Sequence, residues 1–212
     1  MNRLFIAENS GRRGFRAIAA GYPGGFNTAF DAEEMRLALL WRGQFLNAGP
    51  HWTVQGMGQI HPLGTNVVIL PHESPLAILA NAEASWPIEP AKTLGMKFQG
   101  YQLDSLKRPT WLYSFRNVEI KDFVIPLDAT GKPGLRRTLT FDSTPPDGLY
   151  LRLATGKLKS AGGNAWRLDD AVTLTIKSTA QAFTRGQGEH QELLVPIRAT
   201  EKGQTVEVEY VW

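Results

Sequence analysis

Along most of the chain apolar and polar residues alternate with a period of two. "VEIKDFVI" (118–125) sets Val118 and Ile120 against Glu119 and Lys121, which predicts a strand with one buried and one wet face. "LYLRLA" (149–154) aligns Leu149, Leu151 and Leu153 on one face, with Tyr150 and Arg152 on the other. "AVTLTIKS" (171–178) aligns Val172, Leu174 and Ile176, and "TVEVEYVW" (205–212) alternates to its last residue and needs a partner sheet. "TWLYSF" (110–115) is joined to 118–125 by Arg116-Asn117, a two-residue hairpin turn in which Asn tolerates positive φ. "LRRTLTF" (135–141) adds a further strand, and Pro196 in "ELLVPIRA" (192–199) suits an edge strand or a strand end. "RAIAAGYP" (16–23) and "NVVILP" (66–71) read as buried strands and "LAILA" (76–80) as another. "NAEASWPIEPAKTLG" (81–95) reads as a loop with room for one helical turn.

One stretch departs from this pattern. "FDAEEMRLALLWRG" (30–43) is locally the best helix in the chain, with Asp31 as N-cap and Glu34 three residues on as its capping-box partner. Its surroundings are β throughout, and tertiary context overrides local propensity. Turn signals recur at "GYPGG" (21–25), "GTN" (64–66), "KPG" (132–134), "TPPDG" (144–148), "AGGN" (161–164), "RGQG" (185–188) and "EKGQ" (201–204). Many short strands with such punctuation predict an all-β fold, a large antiparallel β-sandwich with little helix. No linker divides the chain, so residues 1–212 are expected to form one domain.

Composition narrows the function classes. The 212 residues are 42% hydrophobic, with six Trp, ten Phe and five Tyr, enough for a sizeable core. No apolar run approaches the length of a membrane span, and "MNRLFIAENS" does not read as a signal peptide. The formal charge is only +3 and the cations are scattered, so no stripe for nucleic acid is expected. With no cysteine the chain has no disulfide, thiolate metal site, Cys nucleophile or covalent c-type haem attachment of its own.

Complete catalytic motifs are missing from the sequence. His51, His61, His72 and His190 share no spacing that presents a pair on one face, and no nucleophile elbow or P-loop occurs. The neighbours Glu33-Glu34 and Asp169-Asp170 would point to opposite faces of a strand and make no dyad. The tryptophans divide by context. Trp41 and Trp111 lie in β-type segments and are expected in the core. Trp52 and Trp86 lie in loop-like context, where an indole can stack on a sugar.

Several stretches taken together carry a resemblance. They are 16–52, which ends in "LLWRGQFLNAGPHW", "PLG" (62–64), "FQGYQLDSLKRPTWLYSFRNVEIKDFVIP" (98–126), "GLRRTLTF" (134–141) and the closing "VEVEYVW". This set resembles the non-haem β-domain of large, multidomain cytochrome-c-type proteins of planctomycetes and related bacteria. In those proteins it accompanies c-type haem domains and often a sugar-dehydrogenase-like propeller. Asn47 stands where the similar pattern has Asp, and Lys107 replaces its turn Gly. The resemblance implies an exported, periplasmic setting, a chain that is part of a larger protein, and partners among haem or dehydrogenase domains. It assigns no catalytic residue and no cofactor to this chain. It also implies that residues 30–43 form a hairpin: "NTAF" as a strand, "DAEE" as a turn started by the Asp31 side chain, and "MRLALLWRG" as the return strand. Leu37, Leu39 and Trp41 would then share one face, and Leu40 would fall awkwardly on the face of Arg36. The run 100–126 is also similar to the broad sheets of galactose-mutarotase-like supersandwiches, a likeness of fold that does not transfer activity.

Three functional expectations follow. The first is a non-catalytic accessory or binding module beside redox domains. The second is a carbohydrate-binding or mutarotase-like sandwich, whose ligand residues would be Trp52, Trp86, His51, His61, Arg42, Asp31 and Asp104. The third is a scaffold without a ligand.

Overall fold

A computed structural model describes residues 4–7, 13–53, 60–127, 132–177, 181–198 and 203–212. The first strands are β1 (Leu4–Ala7), β2 (Arg13–Tyr22), β3 (Phe26–Asp31) and β4 (Arg36–Arg42). A short helix, α1 (Gly49–Thr53), precedes β5 (Thr65–Ile69) and β6 (Leu76–Ile78). The middle of the chain gives β7 (Met96–Leu103), β8 (Pro109–Phe115), β9 (Val118–Pro126) and β10 (Gly134–Phe141). Then come β11 (Leu149–Gly156), β12 (Leu158–Gly162), β13 (Ala165–Leu168) and β14 (Val172–Ile176). The last are β15 (Phe183–Arg185), β16 (Gln191–Pro196) and β17 (Gln204–Val211). Among the described residues no helix is long and apolar enough to cross a membrane.

These strands form an all-β, sandwich-like architecture of three antiparallel sheets. The broadest has eight strands in the order β12-β13-β14-β17-β10-β9-β8-β7. A five-stranded sheet runs β1-β2-β3-β4-β5, and a four-stranded one β15-β16-β11-β6. One apolar cluster joins all three, with Phe30 and Leu40 from the five-stranded sheet, Trp111 and Val208 from the eight-stranded, and Leu151 and Val195 from the four-stranded. Phe30 stacks on Trp111 with ring centroids 4.7 Å apart and planes 11° apart, so a single aromatic pair ties two sheets. The outer face of the broad sheet is wet, and Arg136 there pairs with Glu209 at 2.9 Å across β10 and β17.

Residues 30–43 form the hairpin. Asp31 Oδ1 accepts the N–H groups of Glu33 (2.9 Å) and Glu34 (3.3 Å), and Met35 closes the turn at φ 50°. The side chain thus serves a turn where the local sequence offers a helix cap. The position of Leu40 follows from a β-bulge. Ala29 pairs Leu39 and Phe30 pairs Leu37, which leaves Ala38 as the extra residue. Strict alternation stops there. Leu37 and Leu40 both enter the main core, while Ala38, Leu39 and Trp41 bury against Ala17 and Ala29 in a second cluster.

Other expectations are adjusted in detail. The turn between β8 and β9 has its positive φ at Arg116 (55°), not at Asn117. Residues 66–71 read as a buried strand, yet β5 is the edge of its sheet, and only its Val68 enters the core. Pro196 ends β16, and β17 sits between β14 and β10, so the closing strand has a partner on each side. Residues 81–95 form turns without helix, as far as β7.

Candidate binding site

The inner face of the broad sheet extends past the cover that the five-stranded sheet provides. At that end β7 and β8 are joined by a turn that Asp104 organises. Its Oδ1 accepts the N–H groups of Leu106 and Arg108, each at 2.9 Å, and its Oδ2 accepts Arg108 Nε at 2.7 Å. Backbone hydrogen bonds from those residues, foremost the Arg108 N–H, hold the Asp104 carboxyl below its usual range. Lys107 takes φ 61° within the turn, the left-handed region where the resembling pattern has Gly. Tyr101 pairs Trp111 and Leu103 pairs Pro109 across the strands, so these side chains share the core-facing side. Lying beyond the cover, Tyr101 is 50% exposed, Leu103 51% and Leu106 68%.

Against this overhang β2 closes a pocket of about 260 Å³. Its walls come from Ile18 to Pro23 on one side and from Tyr101, Leu103, Leu106, Lys107, Arg108 and Trp111 on the other. No histidine and no carboxylate is among its lining residues. One of those residues, Trp111, has a fully buried Nε1 without a hydrogen-bond partner among the described residues. The Thr28 hydroxyl lies beside Tyr22 Oη as its side-chain hydrogen-bond partner. Burial pushes the Tyr22 hydroxyl up to about 12, against the pull of Thr28, so it stays a protonated donor. A second pocket, of about 290 Å³, lies between Ala77–Ala80 and the Phe115-Arg116 turn, also without histidine or carboxylate in its lining.

The residues named from the sequence for a saccharide occupy separate places. Asp31 starts the β3–β4 turn and meets Arg36 Nη2 at 3.4 Å, both side chains buried. Arg42, at the far end of β4, lies over the Phe26 ring at 5.5 Å. Trp52 stands on α1 at 76% exposure, and His61 is exposed in the connection before β5. The His51 side chain lies outside the described residues. Trp86 is only 8% exposed: its Nε1 donates to Ser74 O at 3.0 Å, and Arg152 covers its ring at 4.6 Å. Loop context hid this, because the groups that bury Trp86 are distant in sequence. Asp104 does not line the pocket; its carboxylate organises the turn that brings Leu106, Lys107 and Arg108 to it. Trp41 and Trp111 are buried, as their strands imply.

Sequence reasoning missed Tyr22, Tyr101, Leu103 and Leu106 as site residues. A signal was present in "YQLDSL": apolar residues two apart run into a polar turn that cannot bury them.

Two ionic clusters elsewhere are internal supports. Arg137 holds Asp122 through Nε at 2.9 Å and Nη2 at 2.6 Å inside the broad sheet, with the Tyr113 hydroxyl 3.3 Å from the same carboxylate. Arg152 joins Glu73 (2.6 Å) and Glu192 (2.7 Å), and Arg185 meets Glu192 at 2.6 Å.

No protein-family model and no curated protein matches this sequence.

Proposed function

We propose that the chain is a non-catalytic binding module, an accessory unit of a larger exported redox protein, where it packs beside c-type haem or dehydrogenase domains. The lining of the pocket between β2 and the β7–β8 turn carries this reading. Exposed apolar side chains beside two cations suit the holding of a ligand.

The edge of the five-stranded sheet supports the accessory role. Strand β5 turns Val67 (40% exposed) and Ile69 (36%) outward, beside the exposed Leu63 (49%) and Phe45 (42%). An edge strand with outward apolar residues is a surface that another domain can cover. The exported setting and the haem-domain partner rest on the sequence resemblance.

The test is co-elution of the full chain with a c-type haem domain of the larger protein, together with polarimetry on glucose anomers. The reading predicts a complex that Val67→Asp with Ile69→Asp disrupts, and no acceleration of anomer exchange. Acceleration of that exchange, or no complex and no bound ligand of any kind, would overturn it.

A further inference from the structure

The binding-module reading leaves the ligand's chemistry open, and the edge of the broad sheet constrains it. Strand β7 ends that sheet, with β8 as its one hydrogen-bonded neighbour among the described residues. The Asp104 N–H donates to Arg108 O at 3.1 Å. Residues that exchange such bonds alternate along an antiparallel pair. Along the register from Asp104, Gln102 and Gly100 also turn their backbone toward β8, and Tyr101 and Leu103 turn theirs away. The N–H and C=O groups of Tyr101 and Leu103 therefore lie on the open edge, and both side chains are half exposed. The first half of β7 is guarded as edge strands usually are. Lys97 is exposed there, a β-bulge lies between Phe98 and Gly100, and the Met96 N–H donates to Ala91 O at 2.9 Å. Residues 101–103 carry no charge, proline or bulge.

Charge selects among the strands that could pair there. Between Met96 and Arg108 stand three cations, Lys97, Lys107 and Arg108, against one carboxylate, Asp104, which Arg108 already engages. Two copies of this edge paired antiparallel, Tyr101 against Leu103, would carry Lys97 of each toward Lys107 of the other. Like charges brought opposite destabilise a strand pair, whereas an acidic strand meets the opposite sign.

We infer that the open edge of β7 binds an extended acidic peptide segment by strand addition, its backbone exchanging hydrogen bonds with Tyr101 and Leu103. Residues opposite one another across two strands share a face. Apolar side chains two apart in the peptide then lie along Tyr101 and Leu103, at the mouth of the pocket that β2 closes, and the acidic ones between them take the other face. This rests on the binding-module reading and gives it a ligand class.

Fluorescence anisotropy of the full chain with a dye-labelled hexapeptide of alternating Val and Glu tests it. An alternating Val and Lys peptide, and a copy of the acidic one methylated on its valine nitrogens, run in parallel. Saturable binding of the acidic peptide is expected, about tenfold or more tighter than either of the others, since a backbone hydrogen bond is worth up to that factor. Leu103→Pro removes an edge N–H and leaves the pairing with β8 in place, and should weaken the acidic peptide about tenfold. Melting curves check that this variant folds, and the methylated peptide puts the same question to the unaltered chain. No binding of the acidic peptide, equal binding of its methylated copy or of the basic peptide, or unchanged affinity in folded Leu103→Pro overturns the inference. So does a dimer, seen by sedimentation, that Leu103→Pro dissociates. Silence from the peptides with the haem domain still bound overturns this inference alone. Peptide binding without a haem-domain complex supports it and removes that partner; silence from both sinks the two readings together.

Discussion

Asp122 and Arg137 meet in a two-point contact of 2.9 and 2.6 Å from adjacent strands, Asp122 0% and Arg137 2% exposed. The register offsets them by one diagonal step, since Asp122 pairs Leu139 and Arg137 pairs Val124. Arg137 stays charged because the facing carboxylate and its hydrogen bonds outweigh the burial that would lower its pKa.

A buried pair of this kind is costly to break on one side. Arg137→Met leaves an uncompensated carboxylate and is expected to lower unfolding free energy by about 3–5 kcal/mol. Arg137→Met with Asp122→Leu should recover most of that loss. Urea denaturation of the three proteins measures both effects.

The bulged hairpin makes a second prediction through Gly64. A Cβ there would fall on the Arg42 carbonyl oxygen and 2.7 Å from Trp41 Cδ1. This close approach joins the "WRG" and "PLG" stretches of the sequence. Gly64→Ala is expected to destabilise by about 3 kcal/mol, the cost of forcing a side chain into packed backbone. Gly162→Ala is a useful comparison. Its Cβ would meet open space, and its φ of 90° limits the penalty to backbone strain.

Lys107 offers the opposite case. A Lys at φ 61° is strained where Gly is not, so Lys107→Gly should raise stability by about 0.5–1 kcal/mol. Thermal and urea denaturation of the two proteins measure the difference.

Acid sensitivity is expected at the Arg152 cluster. Burial pushes the Glu73 carboxyl up, but the Arg152 guanidinium and its hydrogen bonds more than offset this and hold it below the ordinary 4.5. A carboxyl lowered on folding stabilises fully above its unfolded value and loses that stabilisation as pH falls through the folded one. Denaturation midpoints between pH 5 and pH 2 should therefore fall less steeply in Glu73→Gln than in the parent chain.

The period-two strands were legible because each buries one face, as in Val172, Leu174 and Ile176. The hairpin at 30–43 was legible from the resemblance, whereas its bulge was not. Ala38 bears no mark of being an extra residue, and only the pairing of Leu37 and Leu39 with neighbouring residues of β3 reveals it. Trp86 looked available for a ligand because its segment reads as a loop; Arg152 and Ser74, which bury it, come from elsewhere in the chain. The pocket was illegible for a related reason. Its walls, from β2 and from the β7–β8 turn, meet only through the way two sheets overlap.

The most direct test of the binding-module account is an amide NMR titration of the full chain with a c-type haem domain of the larger protein. Amides of residues 63–69, at the edge of the five-stranded sheet, are predicted to shift, and Val67→Asp with Ile69→Asp to abolish the shifts. Unmoved amides at saturation, or shifts confined to other parts of the chain, would contradict the account.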